Sequence, residues 1–175
     1  MGTAGSRVTR HAVALHGDAV GYSKLIADNE IETHNTVQAF GRIIDEIVTA
    51  ESGELTQFVG DEFLAILPTE ADAVSAAIEI QRRLAVENES LPAGRKLRFR
   101  LGVNAGDLSV ADGQWYGEAI NVAARLQAIA EPGASTSPGR PSMRPATSQS
   151  GSSPSARSVS RISPNPYTSS ASLIS

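Results

Sequence analysis

The sequence predicts one α+β domain in which helices pack on a single antiparallel sheet, and three observations carry that prediction. Runs with strand alternation and runs with helix period follow each other as strand, helix, strand, strand, helix, strand. Gly60-Asp61 lies between two apolar runs, where it forms the centre of a tight hairpin. The 175 residues are 41% hydrophobic, enough for one core, yet no apolar run reaches the ~20 residues that span a bilayer. This βαββαβ order is the ferredoxin-like sandwich, in which the first and third strands are neighbours at the sheet centre.

The elements follow in order. Residues 12–22 read as a strand, Ala12-Val13-Ala14-Leu15, running into a turn at Asp18. Leu25, Ile26, Val37, Phe40, Ile43, Ile44 and Ile47 recur with helix period, predicting one helix that ends near Gly53. The hairpin has arms Leu55–Val59 and Glu62–Leu67, and Pro68 stops the second arm. Thr69 caps the next helix, with Asp72 three residues on. That helix runs to about Asn88 with Val74, Ala77, Ile78, Leu84 and Ala85 as its apolar stripe. Leu97–Val103 alternates as a strand, Gly113 marks a turn, and Glu118–Ala130 is a short helix closed by Pro132-Gly133.

Composition changes sharply there. Residues 133–175 hold 15 Ser and 6 Pro in 43 positions, too polar to offset the entropy of ordering, so a disordered tail is expected. The organisation read from sequence is therefore an N-terminal arm 1–11, a domain 12–132 and a Ser/Pro-rich tail 133–175. Through Pro132 the net charge is −8, from 11 basic and 19 acidic residues; the tail carries 4 Arg and no acid. An acidic domain argues against nucleic-acid binding and requires any bound polyphosphate to be held by metal ions and local donors. The absence of cysteine, of an apolar leader in Met1–His11 and of a membrane segment leads to the expectation of a cytoplasmic protein.

The chemistry concentrates in three places. Asp18 and Asp61 each stand at a glycine-rich turn, and the topology should bring them together. Two such carboxylates suit Mg²⁺, which keeps waters for a substrate to replace, and a pair of ions can activate a hydroxyl and neutralise pyrophosphate. Gly17, Gly21 and Gly60 permit close backbone approach, and the amides from Ala19 through Val20, Gly21, Tyr22 and Ser23 open a helix, a phosphate-favouring arrangement. Asn121 and Arg125 stand at i and i+4, on one helix face; arginine offers a planar fork to a phosphate that gains charge, and asparagine can hold a ribose oxygen.

Four segments together resemble the class III nucleotidyl cyclases, the adenylate and guanylate cyclase catalytic domain. They are Leu15-His16-Gly17-Asp18-Ala19-Val20-Gly21-Tyr22-Ser23, Val59-Gly60-Asp61-Glu62-Phe63-Leu64-Ala65, Leu101-Gly102-Val103-Asn104-Ala105-Gly106-Asp107, and Tyr116-Gly117-Glu118-Ala119-Ile120-Asn121-Val122-Ala123-Ala124-Arg125-Leu126. The resemblance covers Val13 to about Gly133. It implies the cyclase fold, conversion of ATP to cyclic AMP in intracellular signalling, and two Mg²⁺ or Mn²⁺ ions per site held by Asp18, Asp61 and the backbone of Ala19. It further implies that Asn121 orients the ribose, that Arg125 stabilises the α-phosphate, and that each site is shared between the two protomers of a homodimer.

The chain departs from the family pattern at informative positions. Gln57 and Gln114 stand where the family's base-reading pair falls, and a glutamine can both donate to and accept from a purine edge, so either ATP or GTP fits. His16 stands where the family often has Phe. The family continues beyond the Pro132-Gly133 turn into further strands and a late lysine, whereas no lysine follows Lys96 here; with the composition break, this leads to the expectation that 133–175 is not native to the domain and that the domain is incomplete. Two other readings compete. One is an inactive cyclase-homology module that dimerises or binds nucleotide. The other is a diguanylate cyclase, suggested by Gly60-Asp61-Glu62-Phe63 but leaving Asn121 and Arg125 without a role.

Overall fold

A computed structural model describes residues 8–137 and 140–143. The elements are β1 (Val8–Val20), α1 (Tyr22–Asp28), α2 (Glu30–Ala50), β2 (Glu54–Val59), β3 (Glu62–Leu67), α3 (Glu70–Glu89), β4 (Arg98–Ala111), β5 (Gln114–Tyr116), α4 (Glu118–Ile129), β6 (Ser135–Ser137) and β7 (Arg140–Met143). The sheet runs β2-β3-β1-β4-β6-β7, with β5 paired to β4. β1 lies between β3 and β4 and is antiparallel to both, as the ferredoxin-like plan requires.

Alternation along β1 builds both faces of the sheet. Val13, Leu15 and Ala19 point to the main core, where Val37, Phe40, Ile44 and Ile47 of α2 and Ala73, Ala77, Ile80 and Leu84 of α3 cover them. Ala12 and Ala14 point to the other face, where Ala119 and Ala123 of α4 pack with Leu64, Ile66 and Leu108. Asp18 shares this second face by the same period of two, so the α4 side of the sheet is where its carboxylate emerges.

The structure differs from the sequence reading at several elements, among them β4, which runs on to Ala111 and pairs with the unexpected strand β5. The long first helix is two: Asn29 adopts extended backbone and its side chain accepts from the Glu32 amide at 3.2 Å, an N-cap that starts α2 afresh. On α3 the apolar stripe is rotated. Ala73, Ala76, Ala77, Ile80 and Leu84 are buried, Val74 is half-buried, Ile78 is 44% exposed and Ala85 is exposed, because small alanines allow the helix to sit close on the sheet. β1 begins at Val8, inside the expected arm, through pairing with β4 that extends to Val8↔Val110.

Regular structure also continues past residue 132. Leu101 N–H donates to Ala134 C=O at 3.1 Å, Gly133 N–H to Phe99 C=O at 2.9 Å, and β6 pairs parallel to β4. The buried Gln81 amide bonds both Phe99 and Ala134 carbonyls at 3.0 Å. Backbone and amide hydrogen bonds hold this segment, which is why composition hid it. Residues 144–175, the rest of the expected tail, and 1–7 of the expected arm lie outside the described residues.

The hairpin is as expected, with β2 and β3 paired across Gly60-Asp61 and Gly60 at φ 62°, a conformation glycine adopts without a Cβ penalty. A register shift between Leu55 and Gln57 bends β2 just before Gln57. Thr69 caps α3 by accepting from Asp72 N–H at 3.2 Å, and its hydroxyl donates to the Asp72 carboxylate at 2.6 Å.

Candidate functional site

The two acidic segments meet, although Asp18 lies within β1, which runs on to Val20, and not at the turn expected for it. The amide of Ala19 donates to the carbonyl of Asp61 at 2.9 Å, tying the end of β1 to the β2–β3 turn. In register, Asp18 stands opposite Glu62 on β3 and opposite Arg100 on β4. Three acidic residues, Asp18, Asp61 and Glu62, thus stand at one end of the sheet. Burial pushes the Asp61 carboxyl above its ordinary value of 3.8; its backbone hydrogen bond opposes this, and the charges of Asp18 and Glu62 add to the rise.

An acid whose value rises on folding supports the fold while protonated and costs stability once charged. Asp61 therefore burdens the metal-free fold at neutral pH, and the burden lifts as pH falls through its raised value towards 3.8. Asp61→Asn should melt higher than the wild type at pH 7 without divalent ions, and the two curves should merge below about pH 4. Equal melting at both pH values would show that Asp61 is not strained.

Asp18 is held differently. Arg100 grips it with a fork, Nε donating to Oδ1 at 3.0 Å and a terminal nitrogen to Oδ2 at 2.6 Å. The amide of Gln127, on α4, also donates to Oδ1. The pair is partly buried, with the Arg100 side chain 29% and that of Asp18 23% exposed. Next to it, His16 is buried and donates through Nε2–H to the Glu62 carboxylate at 2.9 Å, and its Nδ1 has no partner among the described residues. The bond to His16 engages one oxygen of the Glu62 carboxylate.

Among the described residues, no group of three or more His, Cys, Asp or Glu side chains could hold a metal by itself. Asp18 and Asp61 are partly open, and two such carboxylates are an incomplete oxygen set, of the kind a hard divalent cation would complete with water. Val20 and Tyr22 are half-buried beside them, and Gly21 and Ser23 are exposed. Gly21 caps α1 without a side-chain hydrogen bond, at φ 80°, so the first amides of α1 meet no side-chain acceptor. The helix opened there has 7 residues, not the long helix expected.

Asn121 and Arg125 share one face of α4, as their spacing requires, and both bond Glu118. Asn121 Nδ2 donates to one Glu118 oxygen and an Arg125 guanidinium nitrogen to the other, each at 3.2 Å. This face looks outward; the Arg125 side chain is 73% exposed. The opposite face of α4, Ala119, Ala123 and Gln127 at intervals of four, is buried on the sheet. Among the described residues, no hydrogen bond or ion pair joins Asn121 or Arg125 to Asp18 or Asp61.

The two glutamines are also apart. Gln57 is exposed on the edge strand β2. Gln114 is exposed on β5, where its side-chain oxygen accepts from the Tyr116 hydroxyl at 2.7 Å. Gln114 pairs with Ala111, and Asp18 with Arg100, so eleven residues of β4, roughly 36 Å along an extended strand, separate their rows.

Sequence reasoning missed Arg100, Gln127 and Glu118. Arg100 had a signal, since alternation through Phe99, Leu101 and Val103 puts it on the face of Asp18. Gln127 had one too, a polar residue in line with the buried Ala119 and Ala123.

No family model matches the chain. Known proteins do resemble it. The crystal structure of an adenylate/guanylate cyclase/hydrolase from Silicibacter pomeroyi superposes with a TM-score of 0.69 at 35% identity, covering 75% of this chain and 77% of that one. "Putative adenylate cyclase 3" of Rhizobium meliloti (strain 1021) is 37% identical over 125 residues, 71% of this chain and 21% of that protein. The adenylate cyclase of Glutamicibacter nicotianae is 34% identical over 117 residues, 66% of this chain and 28% of that protein. The chain thus spans between a fifth and a third of these two curated relatives.

Proposed function

The chain belongs to the adenylate/guanylate cyclase family, and from that premise we propose that it converts a nucleoside triphosphate, with ATP the expected substrate, to a 3′,5′-cyclic nucleotide and pyrophosphate at sites shared by a homodimer. The observation that carries this reading is a division within one protomer. The carboxylates of Asp18 and Asp61 gather at one end of the sheet, while Asn121 and Arg125 face away from that sheet on the outer side of α4. A two-fold axis that faces the outer side of one α4 towards the acidic end of the other protomer would complete each site.

Asp18, Asp61 and the Ala19 carbonyl would hold two Mg²⁺ or Mn²⁺ ions. When bound, these would acidify the ribose 3′-hydroxyl and neutralise the triphosphate. The hydroxyl would give up its proton to water, its oxygen would form a bond to the α-phosphorus as the bond from the α-phosphorus to the bridging oxygen breaks, and pyrophosphate would leave. Arg125 would place its fork on the α-phosphate, where charge builds, and Asn121 would hold the ribose. Glu118 pairs with both side chains before substrate arrives, which lowers the entropy lost on binding. No helix is long and apolar enough to cross a membrane among the described residues.

The test is turnover. With Mn²⁺ and ATP, and separately with GTP, the purified chain should yield cyclic nucleotide resolved by chromatography. Arg125→Ala should lower the rate about 100- to 1,000-fold. Its melting temperature should not move, because the side chain is 73% exposed. Equal product from the two proteins would remove the catalytic reading.

A further inference from the structure

Resting on the two-metal reading above, we propose that Arg100 and Gln127 form a displaceable clamp on Asp18, which must open before Asp18 can bridge two divalent ions. The argument is a count of lone pairs. A carboxylate offers about four acceptor positions. Arg100 takes one on each oxygen, at 3.0 and 2.6 Å, and the Gln127 amide takes a second on Oδ1. One position, on Oδ2, is left. Asp18 can meet one ion as it stands; to bridge two, it must lose a donor.

The clamp has somewhere to go. A second terminal nitrogen of Arg100 lies 3.4 Å from the Ala128 carbonyl, in the last turn of α4. Carbonyls there lack helical partners and carry the negative end of the helix dipole, which favours a cation. Arg100 is thus poised between two anionic environments, the Asp18 carboxylate and the C-terminus of α4. A divalent ion arriving at Asp18 repels the guanidinium towards the second. Gln127 belongs to the same turn of α4, so both donors leave towards one element. Arg100 acts here through Asp18 and is a positioning residue.

The test reads metal binding, not turnover. Mn²⁺ alone is titrated into the full chain without nucleotide, and free Mn²⁺ is followed by electron paramagnetic resonance. Arg100→Lys keeps the charge and loses the fork, so it should bind Mn²⁺ about tenfold more tightly; Arg100→Gln and Gln127→Leu should also tighten binding. Asp61→Ala should bind at least about tenfold more weakly. If Asp61→Ala weakens binding but neither Arg100→Lys nor Gln127→Leu tightens it, the clamp is wrong and the metal site stands. If Arg100→Gln alone tightens it, Arg100 acts only as a nearby charge, and the clamp is again wrong. If Asp61→Ala binds as the wild type does, the metal site itself falls and takes the clamp with it. Circular dichroism of each variant confirms that the comparison is between folded chains.

Discussion

Neither Asp61→Ala nor Arg125→Ala should form cyclic nucleotide above about a hundredth of the wild-type rate, yet the two co-expressed under separate tags should recover about a quarter of it. The single losses follow from the site chemistry. Asp61→Ala removes one of the two carboxylates that could share an ion, and Arg125→Ala removes the cation proposed to meet the α-phosphate. The recovery follows from the division of labour. In random pairing, half of the dimers are mixed. Each mixed dimer has one site in which both defects coincide and one in which neither is present. Half of the dimers with half of their sites intact gives the quarter.

This prediction separates readings that a single mutant cannot. If one protomer supplied all four groups, each mixed dimer would hold one site lacking Asp61 and one lacking Arg125, and no activity would return. The geometry argues for return: Arg125 bonds Glu118 on the outward face of α4, whereas the buried face of the same helix, through Gln127, reaches Asp18. One helix cannot turn Arg125 towards the acidic end of its own sheet without lifting Gln127 away. A co-expressed pair that is no more active than the single mutants would end the shared-site reading.

How far the sequence revealed this site depends on the kind of interaction involved. The meeting of Asp18 and Asp61 was legible because it rests on topology: an alternating strand, a Gly-Asp hairpin and a βαββαβ order suffice to put those segments together, and the Ala19–Asp61 hydrogen bond bears this out. The shared face of Asn121 and Arg125 was legible from helix period. The break at Asn29 was readable in principle, since Glu32 stands three residues after it, but the apolar period on both sides masked it. The Arg100 fork was not singled out, because a charged residue in a strand reads first as solvent-facing, and its partner lies 82 positions away in sequence. The strands after Pro132 were hidden for another reason. Hydrophobic pattern reports side-chain burial, whereas that segment is fixed by backbone bonds to Phe99 and Leu101 and by the amide of Gln81.

Gly102→Ala should cost about 2–3 kcal/mol of stability, lowering the melting temperature by roughly 5–10 °C, and should depress turnover more than tenfold. The reason is the seat of α4. A Cβ at position 102 would lie 2.0 Å from the Ala123 carbonyl oxygen, 2.4 Å from the Gln127 nitrogen and 2.9 Å from the Gln127 Cβ. The first two are backbone atoms of a helix and cannot rotate aside, so α4 as a whole must lift from β4 by about an ångström to reach ordinary contact. That shift loosens the packing of Ala119 and Ala123 on Ala12, Ala14 and Leu108. It draws Gln127 from Asp18 and carries Asn121 and Arg125 with it, and misplacement on that scale is enough to cost about a hundredfold in rate. Two further glycines set the scale. Gly94→Ala, with nothing within 4 Å of the new Cβ, should leave both melting and turnover unchanged. Gly106→Ala meets only the Ala119 Cβ at 2.9 Å and a Cα at 3.9 Å, and should fall between the two. A Gly102→Ala protein that melts and turns over like Gly94→Ala would mean that α4 does not rest on β4 through these atoms, and the positions assigned to Gln127, Asn121 and Arg125 would fall together.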